Sequence, residues 1–338
     1  MKAVVYDGPK SFRVTEIPDP EPGPDEVLLR VVLAGICGTD LHLHEGEFGP
    51  SYPLVPGHEI LGEVVATGSA VTGPRVGQRV VLDNTSRCGV CAACRRGMGH
   101  FCRNLAAQGV NRPGGFAEYV TAPAANCFAA DDLPAETAVL AEPLACVVHG
   151  LDRLALAPGS DVVVFGAGPT GLLLAQLAAH SGAGRVTVAA PTPAKLAKAA
   201  EFGADHTVRL DRGDPSAGLA ELRALAPGGF DVVVDATGAI SVLGKAFGLV
   251  REGGTIVVYG MAAETATWPV PAYEVFRREL TIIGSFAQLH GIERALRVLR
   301  SGRVRTGGIV THRFGLREYP DALAAVAGSD CLKAVLVP

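Results

Sequence analysis

Short apolar runs, separated by glycine and proline, follow two different rhythms along the chain. In the first part, to about residue 145, the runs are β-branched or alternate with polar residues, which is typical of strands with one buried face. The predicted strands here are Ala3–Tyr6, Glu26–Ala34, Ile60–Thr67, Arg79–Leu82 and Phe116–Thr121. The pattern therefore predicts an all-β half.

After Pro158-Gly159 the runs become continuously apolar, and alanine-rich segments of helical length separate them. Continuous apolarity is typical of strands buried on both faces of a parallel sheet. The predicted strands here are Val162–Phe165, Val186–Ala189, Val232–Val234 and Ile256–Tyr259. The second half is therefore predicted to be an α/β domain with a doubly wound parallel sheet.

The end of the chain mixes both kinds of element. The predicted elements are an apolar run at Leu280–Gly284, helices at Gly291–Leu299 and Glu318–Val326, and a strand at Lys333–Val337. We expect this tail to rejoin the β half. The predicted domains are thus residues 1–148 with 286–338, and residues 149–285.

Composition narrows the class of protein. A chain of 338 residues is long enough for two hydrophobic cores, and its hydrophobic content of 48% with 42 glycines argues against disorder. The net charge of −4 and the absence of a Lys/Arg block leave no basic surface for nucleic acid. Small molecules are the expected partners.

No stretch predicts targeting or membrane insertion. The amino terminus reaches a charge and a Gly-Pro turn too early for a signal peptide, and no run approaches about twenty apolar residues. The protein is expected to be soluble and cytoplasmic. In a reducing compartment, its eight cysteines are more suited to binding metal than to forming disulfides.

Four cysteines are clustered with a C-x2-C-x2-C-x7-C spacing. They are Cys88, Cys91, Cys94 and Cys102, within a lobe of residues 86–104. This spacing allows four sulfurs to surround one zinc ion with no open position, so the site is predicted to be structural. An iron–sulfur cluster uses the same ligands and stays an alternative. His100, inside the loop, is interpreted as a solvated histidine.

The segment Ile36–Glu59 carries residue types that suit a zinc site with an open coordination position. Cys37 is the predicted soft ligand, and a loop ending in a Pro-Gly turn could return His58 and Glu59 to it. Thr39 and His42 lie close enough in sequence to line the same pocket. Each residue alone would fit a buried free cysteine or a surface loop, but the combination favours a metal site suited to alcohol chemistry.

A glycine-rich loop follows the first strand of the second half. Gly166, Gly168 and Gly171 form G-x-G-x-x-G, with Pro169 and Thr170 between the last two, before a helical segment at Leu172–Ala179. The three glycines would make the turn, let the backbone approach a pyrophosphate, and allow close helix–strand packing. The loop therefore predicts a dinucleotide site.

The position that distinguishes NAD from NADP lies at the end of the next strand. Ala190 stands there in place of a carboxylate, and Thr192 and Lys195 could bind a 2′-phosphate, which favours NADP over NAD. Lys195 would equally fit a solvated helix face. Later strand ends predicted to lie beside the nucleotide, or to be structural turns, are Thr237, Gly260, Ser285 and Phe286.

With these motifs in one chain and in this order, the sequence resembles the zinc-dependent medium-chain dehydrogenases, most closely the polyol and threonine dehydrogenase branch. The motifs that carry the resemblance are GICGTDLH at Gly35–His42, PGHE at Pro56–Glu59, the four-cysteine lobe, AEPLACVVHG at Ala141–Gly150 and GAGPTG at Gly166–Gly171. The resemblance implies a GroES-like β-rich catalytic domain, a Rossmann coenzyme domain and two zinc ions.

The resemblance also implies roles for single residues. Cys37 and His58 bind the catalytic zinc, and either Glu59 or Glu142 is the third protein ligand while the other holds water at the metal. Thr39 bonds the substrate oxygen, and His42 carries the proton towards solvent. Two further residues of the Glu142 motif, Cys146 and His149, are interpreted as packed side chains.

A polyol or sugar alcohol is the expected substrate, with a cyclitol as a variant. Polar side chains assigned to a hydroxyl-rich ligand are His44, Glu45 and Glu47, and those assigned to the pocket wall are Phe48, Phe286 and Gln288. The alternatives are an L-threonine 3-dehydrogenase and a catalytically silent dinucleotide-binding protein. The family implies a homodimer or homotetramer, for which Leu280–Gly284 is the candidate edge strand.

Overall fold

A computed structural model describes residues 1–338, which form two compact units. Unit 1 consists of residues 1–145, 288–302 and 306–338, and unit 2 of residues 146–287 and 303–305. These limits lie within three residues of the predicted domain limits, except that the short segment 303–305 goes with unit 2.

The first part of unit 1 is built mainly of strands. The strands are β1 (Lys2–Gly8), β2 (Ser11–Glu16), β3 (Glu26–Ile36), β4 (Glu59–Thr67), β5 (Arg79–Leu82), β6 (Thr85–Ser86), β7 (Ala106–Ala107), β8 (Tyr119–Pro123) and β9 (Cys127–Ala129). The helices are α1 (Gly38–Glu45), α2 (Ala92–Arg95) and α3 (Ala135–Ala138), with 3₁₀ turns at Gly99–Phe101 and Ala124–Asn126.

Strands and helices alternate in the following part of the chain. The helices are α4 (Ala141–Leu154), α5 (Pro169–His180), α6 (Pro193–Glu201), α7 (Ser216–Leu225), α8 (Ile240–Ala246) and α9 (Ala272–Arg277). The strands are β10 (Asp161–Phe165), β11 (Arg185–Ala190), β12 (His206–Arg209), β13 (Phe230–Asp235), β14 (Val250–Val258) and β15 (Thr281–Gly284).

The tail returns to unit 1, as the sequence predicted. Its elements are α10 (Ile292–Arg300), β16 (Val310–Phe314), a 3₁₀ turn at Leu316–Glu318, α11 (Tyr319–Ala327) and β17 (Lys333–Leu336).

The six strands of unit 2 form one parallel sheet in the order β12-β11-β10-β13-β14-β15. Relative to their chain order this is 3-2-1-4-5-6, the doubly wound order of dinucleotide-binding folds. Residues Val162–Val164 of the central strand β10 are fully buried, which explains the continuous apolar run. The predicted fold of the second half is confirmed.

The main sheet of unit 1 has seven strands in the order β16-β17-β3-β4-β5-β9, with β8 also paired to β3. Three adjacent strands of this sheet, β17, β3 and β4, position the site described below. Strand β17 runs antiparallel to β3 with Ala334 opposite Ile36, and β3 runs antiparallel to β4 with Gly35 opposite Glu59. The carboxyl end of β3 therefore lies between the start of β17 and the start of β4.

The prediction of an all-β first half was wrong in one important place. Residues Gly38–Glu45 form helix α1 rather than a loop. Its first turn is closed by Asp40, whose Oδ2 accepts a hydrogen bond of 2.8 Å from the Cys37 backbone N–H. Gly38 is the first residue of the helix, and the other helix breakers of this segment, beginning with Gly46, lie beyond the helix and end it rather than prevent it.

Two smaller predictions also differ from the structure. The strand predicted at Phe116–Thr121 begins at Tyr119, because the backbone of the buried Phe116 bonds to Pro56 and Val4 instead of to β3. His100 is not solvated: it is 7% exposed, and its ring lies 4.0 Å from that of Phe101. No helix in the structure has the length and apolar character needed to cross a membrane.

Candidate metal centres and coenzyme site

The structure brings Cys37, His58 and Glu59 into one group. One ligand atom from each, the sulfur, an imidazole nitrogen and a carboxylate oxygen, lies within 4.8 Å of the others. Cys37 follows the last residue of β3 and caps α1, while His58 and Glu59 lie at the start of β4. Strand pairing, not a flexible loop, therefore sets the geometry of the group.

Space for the Glu59 carboxylate comes from a glycine on the adjacent strand. A Cβ atom at Gly35 would lie 1.9 Å from Glu59 Oε2, so any other residue at this position would displace the carboxylate. The turn before His58 is equally restricted. Gly57 has a φ of +95°, and a Cβ atom there would lie 2.3 Å from the ring of Phe116.

Asp40, which the sequence analysis did not single out, lies beside the histidine. It is 1% exposed, and its Oδ1 lies 3.6 Å from His58 Nδ1. Burial lowers the pKa of His58, but Asp40 and Cys37 outweigh burial and hold this pKa well above its usual value. Because a metal binds neutral imidazole, zinc binding here must displace a proton. Asp40 Oδ1, which faces Nδ1, could then orient the imidazole ring, as carboxylates commonly do for metal-bound histidines.

The group has the chemistry of a zinc site. Glu59 is fully buried, and its Oε2 has no hydrogen-bond partner in the protein, which is rare for a buried carboxylate oxygen. A cation held by this oxygen, the Cys37 sulfur and the His58 ring would satisfy it. One thiolate, one imidazole and one carboxylate match the three protein ligands that catalytic zinc sites use.

The other oxygen of Glu59 is bound by a residue that sequence reasoning missed. Lys333 Nζ lies 2.5 Å from Glu59 Oε1, and both side chains are buried. Burial opposes the charge of Lys333, yet Glu59 and Cys37 raise its pKa above the ordinary value. A lysine at the start of an otherwise apolar strand was the one signal for it in the sequence.

Thr39 and His42 both lie on α1, close to the metal-ligand group. Thr39 Oγ1 is 3.8 Å from Cys37 Sγ. His42 Nδ1 lies 2.5 Å from Glu47 Oε2, a contact that the sequence analysis did not anticipate. A carboxylate only accepts hydrogen bonds, so Nδ1 carries the proton and Nε2 is the nitrogen left for proton exchange.

The structure does not place Glu142 in the group. This residue lies in the first turn of α4, and the clustered ligand atoms come only from the three residues named above. Of the two glutamates that the sequence left open, Glu59 is the one whose carboxylate oxygen lies among these clustered atoms. Two other α4 residues, Cys146 and His149, were predicted to be packed side chains. His149 is buried, at 7% exposed, whereas Cys146 is half-buried.

Most side chains assigned to the substrate have partners within the protein instead. His44 Nδ1 lies 2.8 Å from the Tyr6 hydroxyl, and Glu45 forms an ion pair of 2.6 Å with Lys10. Gln288 is 1% exposed because its amide nitrogen donates to Asp83 and its amide oxygen accepts from the Gly291 backbone. Assigning Gln288 to the pocket wall was wrong, since no group of its side chain is left for a ligand.

The predicted aromatic wall residues have different surroundings. Phe48 packs against Leu43, Ala107 and Val110, with a φ of +71° that is uncommon outside glycine. Phe286 follows β15 and is 40% exposed.

The four cysteines of the lobe converge as the spacing predicted. Their sulfurs all lie within 4.8 Å of one another, with Cys102 3.5 Å from Cys88 and 3.9 Å from Cys91. Tetrahedral zinc with Zn–S bonds of about 2.3 Å separates its sulfurs by about 3.8 Å, so one ion fits this group. Backbone N–H groups of Cys94 and Arg103 lower the pKa of Cys91 to about 6, which favours the thiolate that a metal needs.

Replacing Cys91 by serine is expected to remove one zinc ion per chain and to leave the other in place. The lobe has no hydrophobic core of its own, so its fold depends on the metal. We expect faster proteolysis within residues 86–104 and a lower melting temperature, measured together with zinc content by mass spectrometry. Retention of two zinc ions would contradict a four-cysteine site.

The glycine loop has the geometry of a pyrophosphate cradle. Gly166 has a φ of +107°, which the turn after β10 requires. A Cβ atom at Gly171 would lie 2.1 Å from the Gly166 carbonyl oxygen, so this glycine permits the close start of α5. A Cβ atom at Gly168 would meet nothing within 4 Å, which leaves room for a ligand at the helix amino terminus, where Pro169 and Thr170 begin α5.

The strand ends beside this loop lack a carboxylate where a ribose would bind. Ala190 ends β11, and Thr192 caps α6 without using its side chain as a cap. Parallel pairing sets Ala190 opposite Arg209, an exposed arginine that the sequence analysis missed. Its position at the end of the neighbouring strand was the available signal.

The remaining predicted coenzyme residues are turn residues at the same edge of the sheet. Thr237 donates its hydroxyl and its backbone N–H to Asp235, a buried residue at the end of β13. Gly260 approaches the backbone so closely that a Cβ atom would lie 2.2 Å from the Gly238 nitrogen. The Ser285 backbone N–H donates to Val258 at the end of β14. These residues shape the edge through their backbone.

Comparison with known families agrees with this geometry in both units. Residues 23–132 match the family described as "Alcohol dehydrogenase GroES-like domain", and residues 169–301 match the family described as "Zinc-binding dehydrogenase". The first match contains the metal-ligand group and the four-cysteine lobe, and the second begins within the glycine loop.

Similar proteins cover the whole chain. D-arabinitol dehydrogenase 1 of Uromyces fabae is 44% identical over 100% of this chain and 97% of its own, and D-altritol 5-dehydrogenase of Agrobacterium fabrum is 37% identical over 90% of each. A solved zinc-binding dehydrogenase from Sinorhizobium meliloti, bound to NADP, superposes with a TM-score of 0.93 at 36% identity over 100% of this chain and 99% of that one. The chain thus belongs to the zinc-dependent medium-chain polyol dehydrogenase family.

Proposed function

We propose that this enzyme oxidises a secondary hydroxyl of a polyol or sugar alcohol, reversibly, with a nicotinamide coenzyme. The observation that carries the proposal is the convergence of Cys37, His58 and Glu59 beside Thr39, on the helix that also carries His42. In this proposal, residues 1–148 and 286–338 form the catalytic domain, and residues 149–285 bind the coenzyme.

Zinc held by the group supplies positive charge that lowers the pKa of a substrate hydroxyl. Thr39 is the proposed hydrogen-bond partner of that hydroxyl, and Glu142 the carboxylate that acts on solvent at the metal. The reaction removes a hydride from the carbinol carbon and transfers it to the nicotinamide. The residues of the site must therefore remove one proton for each alcohol oxidised.

His42 is the proposed exit for that proton. Glu47 fixes the imidazole by accepting from Nδ1, so Nε2 can take a proton from the site and release it to solvent. The His42 side chain is 24% exposed, which gives it contact with water. Glu47 thus acts through His42 rather than on the hydroxyl-rich substrate.

Replacing His42 by alanine is expected to lower turnover about tenfold at acidic pH and much less at alkaline pH, because hydroxide then replaces the relay. The measurement is the pH profile of kcat and of kcat/KM. Glu47→Gln is the matched control: its amide oxygen still accepts from Nδ1, so a smaller loss is expected. A loss for His42→Ala that does not depend on pH would contradict the relay.

We infer the polyol substrate from the relatives described above, whose names give D-arabinitol and D-altritol as their substrates. Turnover of pentitols, hexitols, cyclitols and L-threonine, each with NADP and with NAD, tests it. We expect the largest kcat/KM for an acyclic polyol. Turnover of L-threonine alone would replace this proposal by the threonine dehydrogenase alternative.

NADP is the proposed coenzyme, because no carboxylate at position 190 repels a 2′-phosphate and Thr192, Lys195 and Arg209 can bind one. Ala190→Asp is expected to lower kcat/KM for NADP about tenfold through repulsion between like charges, and to lower that for NAD much less. The ratio of the two kcat/KM values is the measurement. An unchanged ratio would contradict a 2′-phosphate site at this strand end.

We also propose that the enzyme is a homodimer or homotetramer and that it acts in the cytoplasm. Strand β15 is an unpaired sheet edge, and α9 just before it exposes Tyr273 and Phe276, the latter at 80%. All eight cysteines have free thiols, which suits a reducing compartment. Light scattering with Phe276→Glu tests the assembly: we expect smaller oligomers, and an unchanged mass would contradict a role for this surface.

A further inference from the structure

Lys333 is a buried cation next to a site that must hold another cation. Its side chain is 4% exposed, and strand register explains how it reaches Glu59. Because Ala334 pairs with Ile36, the preceding residue of β17 lies beside Cys37 at the end of β3. Three adjacent strands thus bring Lys333, Cys37 and Glu59 to one place in the sheet.

The two oxygens of Glu59 have different surroundings. Oε1 is bound by Lys333 at 2.5 Å, whereas Oε2 has no hydrogen-bond partner. If both oxygens were available, a carboxylate could bind a metal with both and fill a position that a substrate needs. The ammonium group leaves only Oε2 for the metal.

Charge supports the same arrangement. The groups near the metal position include the half-buried Cys37 thiolate and the buried carboxylates of Glu59 and Asp40, which carry three negative charges when ionised. A zinc ion adds two positive charges and Lys333 adds one. The loaded site is then neutral, as a buried cluster must be to avoid a large desolvation cost.

We propose that Lys333 is a positioning residue which holds Glu59 to one-oxygen binding of zinc and so keeps a coordination position open for the alcohol. This inference rests on the proposed metal site. It predicts that removing the ammonium group strengthens zinc binding while weakening substrate binding. A lysine that served only to pack the strand would do neither.

Lys333→Met tests the proposal in the zinc-loaded, full-length enzyme. We expect zinc release to a chelator to slow about tenfold, because the second oxygen becomes available and a repelling charge is lost. We also expect a higher KM for the alcohol and one additional oxygen neighbour of zinc in X-ray absorption spectra. Lys333→Arg should restore release and KM, and Lys198→Met, which removes a half-buried lysine of unit 2, should change neither.

Release at the wild-type rate or faster in folded Lys333→Met would overturn the proposal. If that variant does not fold, Lys333→Leu, which also removes both the charge and the hydrogen bond to Glu59, should slow release in the same way, and wild-type release would overturn the proposal. The zinc content of the wild-type enzyme distinguishes a failure of the proposed metal site from a failure of the proposed role of Lys333. One zinc per chain would refute the catalytic metal site itself, whereas two with unchanged release would refute only the role of Lys333.

Discussion

Replacing Cys37 by serine is expected to lower kcat/KM for the alcohol by at least about 1,000-fold. Stabilisation of developing charge by a catalytic metal contributes several kcal/mol, and each 1.36 kcal/mol corresponds to about a tenfold change in rate. The thiolate is the softest of the three ligands, and the loss of its charge leaves only His58 and Glu59. We expect the zinc content to fall from two ions per chain to one.

The measurement combines steady-state kinetics, metal analysis and coenzyme titration. Coenzyme affinity should stay close to wild type, because the glycine loop belongs to unit 2. Cys127→Ser is the matched control: this half-buried thiol packs against the core of unit 1 and donates to the Pro123 carbonyl, outside the metal-ligand group, so the variant should keep both zinc ions and its activity. Full activity of Cys37→Ser would show that the metal site is wrongly placed.

Replacing Gly35 by alanine is expected to lower activity at least about 100-fold, although the change adds one methyl group on a strand. The new Cβ atom would lie 1.9 Å from Glu59 Oε2 and 3.0 Å from Glu59 Cβ, so the carboxylate must move. Displacing even the groups that support a metal ligand costs about 10- to 100-fold, and here a ligand itself is displaced. Kinetics and zinc content measure the effect.

Gly8→Ala provides the control for a glycine-to-alanine change on a strand of the same unit. A Cβ atom there meets nothing within 4 Å, and Gly8 does not have a positive φ. This variant should match wild type in activity, zinc content and melting temperature. Equal behaviour of the two variants would mean that Glu59 does not need its position for catalysis.

Local sequence patterns predicted the coenzyme unit well. Strands buried on both faces are continuously apolar, so the runs at β10, β11 and β13 could be found from composition alone. The glycine loop was equally accessible, because its three glycines lie within six residues, and backbone geometry requires two of them, Gly166 through its positive φ and Gly171 through its close contact with Gly166. The four-cysteine lobe belongs to the same class, since all its ligands lie in one short segment.

Helix α1 shows where local patterns fail. It is eight residues long, begins with Gly38, ends before Gly46, and is stabilised by a cap whose acceptor, Asp40, also faces His58. Its residues have no apolar stripe because the helix positions polar groups at the site. The hydrophobic period, which is the main signal for a helix, was therefore missing.

Contacts between distant residues could not be predicted from the sequence. Lys333 and Glu59 are 274 positions apart, and only the pairing of β17 with β3 brings them together. Arg209 lies opposite Ala190 through the pairing of β12 with β11. In both cases the sheet register, which depends on the whole fold, decides which side chains meet.

The central claim is that Cys37, His58 and Glu59 hold a zinc ion. The most direct test is anomalous diffraction at the zinc edge from crystals of the full-length enzyme. The account predicts two peaks per chain, one among the four lobe cysteines and one in contact with the Cys37 sulfur, the His58 ring and a Glu59 oxygen. A peak in the lobe alone, from an enzyme that still oxidises its alcohol, would contradict it.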